Sequence, residues 1–559
     1  MTGKFIALPQ EISADPWKEG NADGRQQPRC EVGREVGWPR SSEEAANPRG
    51  AKGAMKMRTM KTEQLNLVFA ESPQGSGDPE PPDLWAGPKS RLHKARVKEF
   101  EGFMTGAAEG TSLLDAVASV FNLRASLDKV VQNKGAPGVD GQSVETVLAH
   151  SEELLPRLRR QLLAGSYRPG DIRRVWIPKP GGGQRGLGIP NVIDRWVQQA
   201  VLQVLEPIFE PTFHDSSHGF RRGRGAPTAI AQARQHLSAG RTTIVDIDLA
   251  KFFDRVNHQR LQARLAQRVK DKRVLQLIGR MLKARVVLPD GTRVMTEEGT
   301  PQGGPLSPLL SNIVLNELDW ELDRRGLRFV RYADDANIFV GSRSAGKRVM
   351  ASVQRFLEKR LRLLINPEKS AVRRPQEVHF LGFRFCRNQA EQWTIHLSHK
   401  TVERIKTRLK EMTPRNWGQS LLACIEELNC YLKGWVAYYR LCSEEGVRNW
   451  KHMDAHVRRR LRAIVIRQKK RPRHLYRHLL GRDVSARQAA MTAWSNRGIW
   501  HRSARSVMHL GYRIDWFTER LVSLTTEWYR HNLPSLVSPV SEPQLALFAP
   551  EIPSKEPDA

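Results

Sequence analysis

Two adjacent carboxylates set between apolar runs constrain this chain more than any other feature. In RYADDANIFV (331–340), Asp334 and Asp335 follow Tyr332 and Ala333, and Ile338, Phe339 and Val340 come soon after. The pattern reads as a β-hairpin with both acids at its tip. Asp-rich turns are common where they meet water. Charge placed among residues ready for burial is expensive unless it is paired or bound to metal. The fold must therefore either solvate this tip or bring countercharge to it.

A second acidic stretch bears on that choice. TTIVDIDLAKFFDRVN (242–257) reads as an apolar strand running into a helix, with Asp246 and Asp248 on one strand face. A strand end and a hairpin tip can bring such carboxylates together on a shared sheet face. Three of them would repel and raise one another's pKa unless cations lie between. Two divalent ions about 4 Å apart are the usual resolution, and they suit nucleotidyl transfer. Oxygen ligands favour Mg²⁺. Spacing alone leaves both Asp246 and Asp248 open.

Composition narrows the partner. The 559-residue chain holds 90 Lys+Arg against 59 Asp+Glu, a formal net charge of +31. Such an excess is self-repelling until a polyanion neutralises it, and nucleic acid is the commonest one. No apolar run reaches the ~18 residues a membrane span needs, which argues against a membrane protein. The five cysteines form no C-x-x-C pair, which argues against a structural zinc or a disulfide framework and fits a reducing cytoplasm.

Residues 1–90 read as a disordered extension, Pro/Gly/Ser-rich at 71–90. Helical patterns then cover 111–132 and 143–164, and two short strands flank a Gly-rich turn in DIRRVWIPKPGGGQRGLGIP (171–190). A further helix spans about 258–284, with a hairpin at Pro289–Gly291, a helix over about 344–362 and strands in EVHFLGFRFC. Lys179 and Arg185 flank the glycines 181–183, where cations and a pliant backbone can clamp a triphosphate. After about 400 come basic helices with interleaved aromatics; Trp435, Tyr438 and Tyr439 are read as core. Residues 451–480 hold eleven Lys/Arg and one acid, Asp454. With Ile464, Val465 and Ile466 as an anchor, this run reads as a packed helix with a phosphate-binding face. Its contacts are expected at Arg458, Arg459, Arg460, Arg462, Lys469, Lys470, Arg471 and Arg473.

The order DLAKFFD, GTPQGGPLSPLLSNI, YADD, LINPEKS and FLGFRF, preceded by IPKPGGGQRGLGIP and HGFRRGRG, resembles group II intron-encoded reverse transcriptases over roughly 110–530. The resemblance implies an α+β right-hand polymerase with fingers (91–240), an antiparallel palm (241–390), and a helical thumb with an all-α maturase domain X (391–530). A disordered tail (531–559) would follow. It selects Asp248, six residues before the Asp of FFD, as first metal ligand, with Asp334 and Asp335 completing a two-Mg²⁺ site. Phe253 matches the aromatic that blocks a ribose 2′-hydroxyl, Gln302 the residue against the incoming nucleotide, and Lys369 a lysine near the leaving group. FLGF (380–383) matches the primer-grip turn.

The implied partners are intron RNA, a DNA primer and target, and dNTPs. No C-x-x-C nuclease module follows residue 530, so the expected type lacks the endonuclease. The tail segment QLALF also resembles the peptide that docks on bacterial replication clamps, through Gln544, Leu545, Leu547 and Phe548. That docking would place the protein at the nucleoid. Reverse transcriptases of retron or defence settings, and a splicing-only maturase, are the alternative readings; a homodimer is also open.

Overall fold

The computed structural model describes residues 112–178, 183–414 and 418–533. Its central sheet orders four antiparallel strands β6-β7-β3-β8, namely Arg328–Tyr332 (β6), Asp335–Val340 (β7), Thr243–Ile247 (β3) and Ala371–Arg373 (β8). A second sheet orders Gln184–Ile189 (β2), Ile172–Pro178 (β1), Val286–Val287 (β4) and Arg293–Val294 (β5). A β9–β10 hairpin, Phe383–Arg387 and Trp393–Leu397, leads into the helical C-terminal region.

The central sheet is apolar because it is covered. The helix Arg343–Phe356 packs on β3, β7 and β8, while Ala226–Ser238 and Ser307–Arg324 pack on β6. One core of buried residues runs from Leu114 to Leu363, so the N-terminal helices, the helix Val192–Phe209 and the sheet share it. Trp196, fully buried there, donates its indole N–H to the Leu123 carbonyl at 2.6 Å.

Several expected elements break where a polar side chain competes for the backbone. The single helix foreseen over 258–284 is two, His258–Arg268 and Lys272–Leu282. Asp271 accepts from Arg273 N at 2.9 Å as an N-cap and from Leu114 N at 3.0 Å, so the carboxylate starts a new helix and ties it to the helix Leu113–Val117. Ser119 divides 111–132 in the same way, capping Val120–Gln132. The helix expected after β3 is only a short turn, Phe252–Asp254, entered through Lys251 at φ +50°.

Two other differences concern strands. The hairpin at 286–294, expected within the palm span, joins the other sheet by pairing β4 parallel to β1. In EVHFLGFRFC only Phe383–Arg387 is a strand; Leu381 (φ +51°) and Gly382 (φ +89°) instead form a tight turn between Phe380 and Phe383. Trp435 and Tyr439 are buried, their rings 4.5 Å apart, whereas Tyr438 is exposed and donates to the Leu381 carbonyl at 3.1 Å. Among the described residues no helix is long and apolar enough to cross a membrane.

Candidate active site

The β3–β7 register builds the site. Ile247 lies opposite Ala336, so Asp248, one residue past the strand, comes level with Asp335. Asp335 pairs with Tyr332 across a two-residue turn, Ala333–Asp334, in which Ala333 takes φ +56°. Asp248 is fixed through its backbone: its N–H donates to Ser370 Oγ at 2.9 Å, and its carbonyl accepts from Asn366 N at 2.8 Å.

Crowding these acids changes their chemistry. Asp335 is exposed at the surface, although protein atoms crowd around its carboxylate. Desolvation, then the charges of Asp334, Asp248 and Asp246, push its carboxyl up to about 7. Asp334 is also raised, by desolvation and by Asp248, while Arg185 and Lys369 pull it back. Asp246 rises to about 6 through burial, against the pull of Arg373, whose Nε is 3.3 Å away. Lys369 supplies countercharge to Asp248 at 3.2 Å.

Among the described residues no three His, Cys, Asp or Glu side chains are gathered as a ready metal-binding group. The donor set at the tip is nonetheless carboxylate, which suits a hard divalent ion. Mutually raised carboxyls are also the condition that such an ion relieves. The residues present fit divalent cations.

What holds the turn in its left-handed bend lies beneath it. Arg331 is 1% exposed in its side chain and spends all five guanidinium donors. Nε and one Nη2 hydrogen engage Asp319 at 2.7 and 2.6 Å, and the other Nη2 hydrogen reaches Ser217 Oγ at 2.7 Å. Nη1 donates to Asn312 Oδ1 at 3.0 Å and to the Ala333 carbonyl at 2.8 Å. Gly219 completes the seat: a Cβ there would lie 2.4 Å from Ala333 N. Asn312 returns a bond to the Gly219 carbonyl at 2.9 Å. Sequence reasoning named none of Ser217, Gly219, Asn312, Asp319 or Arg331 as functional. A signal existed for three of them, since Gly219 lies in HGFRRGRG, Asn312 in GTPQGGPLSPLLSNI and Arg331 in RYADD; Ser217 and Asp319 fall outside these motifs.

The nucleotide-contact candidates gather around one loop. Thr300 N donates to the Phe253 carbonyl at 2.6 Å, and the Gln302 carbonyl accepts from Gly188 N of β2 at 2.7 Å. Phe253 is half-buried, edge-on to Phe252 at 5.2 Å. Arg185, on β2, is exposed and close enough to act on Asp334. Lys179 lies outside the described residues, as do Gln544, Leu545, Leu547 and Phe548.

The basic run needs correcting. Arg462 is 2% exposed and donates to the Tyr512 carbonyl at 2.9 Å, so it faces inward, and desolvation lowers its pKa to about 10. Arg459 lies 3.9 Å from the Trp500 ring centroid and donates to the Trp500 carbonyl, and Arg460 engages the Thr413 and Lys410 carbonyls. These side chains tie helices together. Arg458 and Lys469 are half-buried; Lys470, Arg471 and Arg473 are exposed. The lone acid, Asp454, is buried against the start of the helix Leu524–Asn532, accepting from Leu524 N at 2.8 Å and Thr525 N at 3.2 Å while Ser523 caps the helix.

The palm-like sheet, its acidic tip and the helical domain behind it define a template-directed nucleic-acid polymerase. A family model described as "Reverse transcriptase (RNA-dependent DNA polymerase)" matches residues 177–385, and one described as "Group II intron, maturase-specific domain" matches 402–481. Protein YkfC of Escherichia coli K12 is 32% identical over 53% of this chain and 86% of its own length. The group II intron-encoded protein LtrA of Lactococcus lactis subsp. cremoris is 40% identical over 34% of this chain and 31% of LtrA. A putative COX1/OXI3 intron 2 protein of Saccharomyces cerevisiae is 28% identical over 49% of this chain and 38% of that protein. This chain belongs to the group II intron-encoded reverse transcriptase/maturase family.

Proposed function

We propose that this protein copies group II intron RNA into DNA and binds the same RNA to assist its splicing and its insertion into DNA. One observation carries the reading: Asp248 comes level with the Asp334–Asp335 tip, ahead of a region that matches a maturase domain. Asp248, Asp334 and Asp335 would hold two Mg²⁺ ions, which when bound activate a primer 3′-hydroxyl and steady the departing pyrophosphate.

The remaining work falls to side chains. Arg185 and Lys179 draw in the triphosphate, and Phe253 excludes a ribose 2′-hydroxyl, selecting dNTPs. Gln302 lies against the incoming nucleotide. Lys369, paired with Asp248 in this structure, neutralises charge developing on the leaving group. Arg458, Lys469, Lys470, Arg471 and Arg473 bind RNA phosphates. The segment 544–548 docks on the replication clamp and brings the particle to DNA primers in the bacterial nucleoid.

Primer extension on an RNA template with dNTPs and Mg²⁺ tests the core of this reading. Asp334→Asn should lower extension at least about 10³-fold while RNA binding persists; equal extension by both proteins defeats the assignment. For the tail, clamp retention unaltered by Leu547→Ala with Phe548→Ala removes the docking.

A further inference from the structure

A cavity of about 550 Å³ opens in the C-terminal helical region and serves no part of the polymerase site. It lies between the end of the helix Trp450–Gln468, the start of the helix Pro472–Leu480, and residues 493–502. Its size falls within the roughly 300–1,000 Å³ of small-ligand sites. The charged residues lining it are Arg467, Lys469, Lys470 and Arg502, and no acid lines it. Arg502 Nε is buried without a hydrogen-bond partner. Burial also depresses the pKa of that guanidinium, which marks it as short of an anion.

Apart from Ser495, the rest of the wall is apolar. Ile466 and Leu475 are buried, while Trp494 is 58% exposed and rests its ring 5.3 Å from Tyr476. That indole is braced on one neighbour and otherwise open to solvent. A small inorganic anion would answer the cations and leave the indole idle. An apolar ligand would do the reverse. A nucleotide carries both chemistries in one unit, and only a base freed from its stack can reach a concave site.

We propose that this cavity receives one unstacked nucleotide of a single-stranded RNA segment, with its base on Trp494 and its phosphate at Lys469, Lys470 and Arg502. The inference rests on the RNA-binding reading above and adds to it a defined site and an unpaired substrate.

The full-length protein is titrated with a short unpaired RNA oligomer carrying one 4-thiouridine, then irradiated. The crosslink should map within residues 493–502. Trp494→Ala should weaken binding about tenfold, and Trp494→Phe should keep most of the affinity because a phenyl ring still stacks. Lys470→Ala should reduce the slope of log affinity against log salt by about one. Adenosine monophosphate should displace the oligomer where equimolar inorganic phosphate does not, and a fully paired RNA hairpin should compete poorly.

Wild-type affinity in Trp494→Ala overturns the proposal, as does a crosslink outside this segment. Displacement by phosphate as readily as by the nucleotide overturns it too, since it defines an anion site only. Trp494 is mostly exposed, so its replacement leaves the fold intact. Primer extension by the unaltered protein judges the polymerase reading separately, so the two failures are distinguishable.

Discussion

Replacing Arg331 with Met should slow catalysis without touching a single reacting atom. The guanidinium is buried with all five donors used, and one of them holds the Ala333 carbonyl under the acidic turn. Removing it strands Asp319, whose side chain is fully buried, and breaking one side of such a pair costs about 3–5 kcal/mol. The turn also loses its brace. Ala333 at φ +56° sits in a conformation that costs about 1 kcal/mol or more, and its side-chain brace against relaxation is then gone. A shift of about 1 Å at the tip would cost roughly 10²-fold in rate.

Stability and rate can be separated. Arg331→Met combined with Asp319→Leu removes the stranded charge, so the melting temperature should return close to the parent value. The Ala333 carbonyl stays unbraced, so single-turnover nucleotide incorporation should remain about 10²-fold slow while nucleotide affinity changes little. If the paired variant regains both stability and rate, the network is packing alone and the positioning argument fails.

Three further outcomes follow from the same geometry. The Asp335 carboxyl is raised from 3.8 to about 7, so the folded state holds its proton more tightly than the unfolded one. Stability of metal-free protein should therefore fall as pH rises between those values, and Asp335→Asn should melt higher than the parent at pH 8 but equal to it at pH 4. Gly219→Ala sets a methyl 2.4 Å from Ala333 N; extension should drop at least tenfold with about 1–3 kcal/mol of destabilisation, read by primer extension and thermal melting. Asp454→Ala leaves the N–H groups of Leu524 and Thr525 without their acceptor, so amides of the helix Leu524–Asn532 should exchange faster, by a factor matching about 2 kcal/mol.

The sequence made the acidic constellation legible because strand alternation is local. Asp246 and Asp248 share a face by period alone, and the apolar runs around Asp334 and Asp335 announce a hairpin. The support beneath it was not legible. Arg331 looked like any basic residue, since its partners Ser217, Asn312 and Asp319 lie on other elements. The run 451–480 misled for a related reason: arginine can be buried when main-chain carbonyls receive its fork, as with Arg462 on Tyr512, and no periodicity reveals that. The pairing of β4 with β1 spans more than 100 residues, and two-residue strands carry no pattern to read.

Asp454 has a consequence beyond the helix whose first N–H groups it receives. With its carboxylate turned inward to amide groups, the flank bearing Lys470, Arg471 and Arg473 has no acid of its own run beside it. In the free protein, mobile chloride and similar ions must cluster there. An RNA strand that displaces them returns those ions to bulk water, roughly 0.7 per phosphate engaged. On the proposed reading, RNA binding there would be driven largely by the entropy of that release, and raising the salt concentration should undo it.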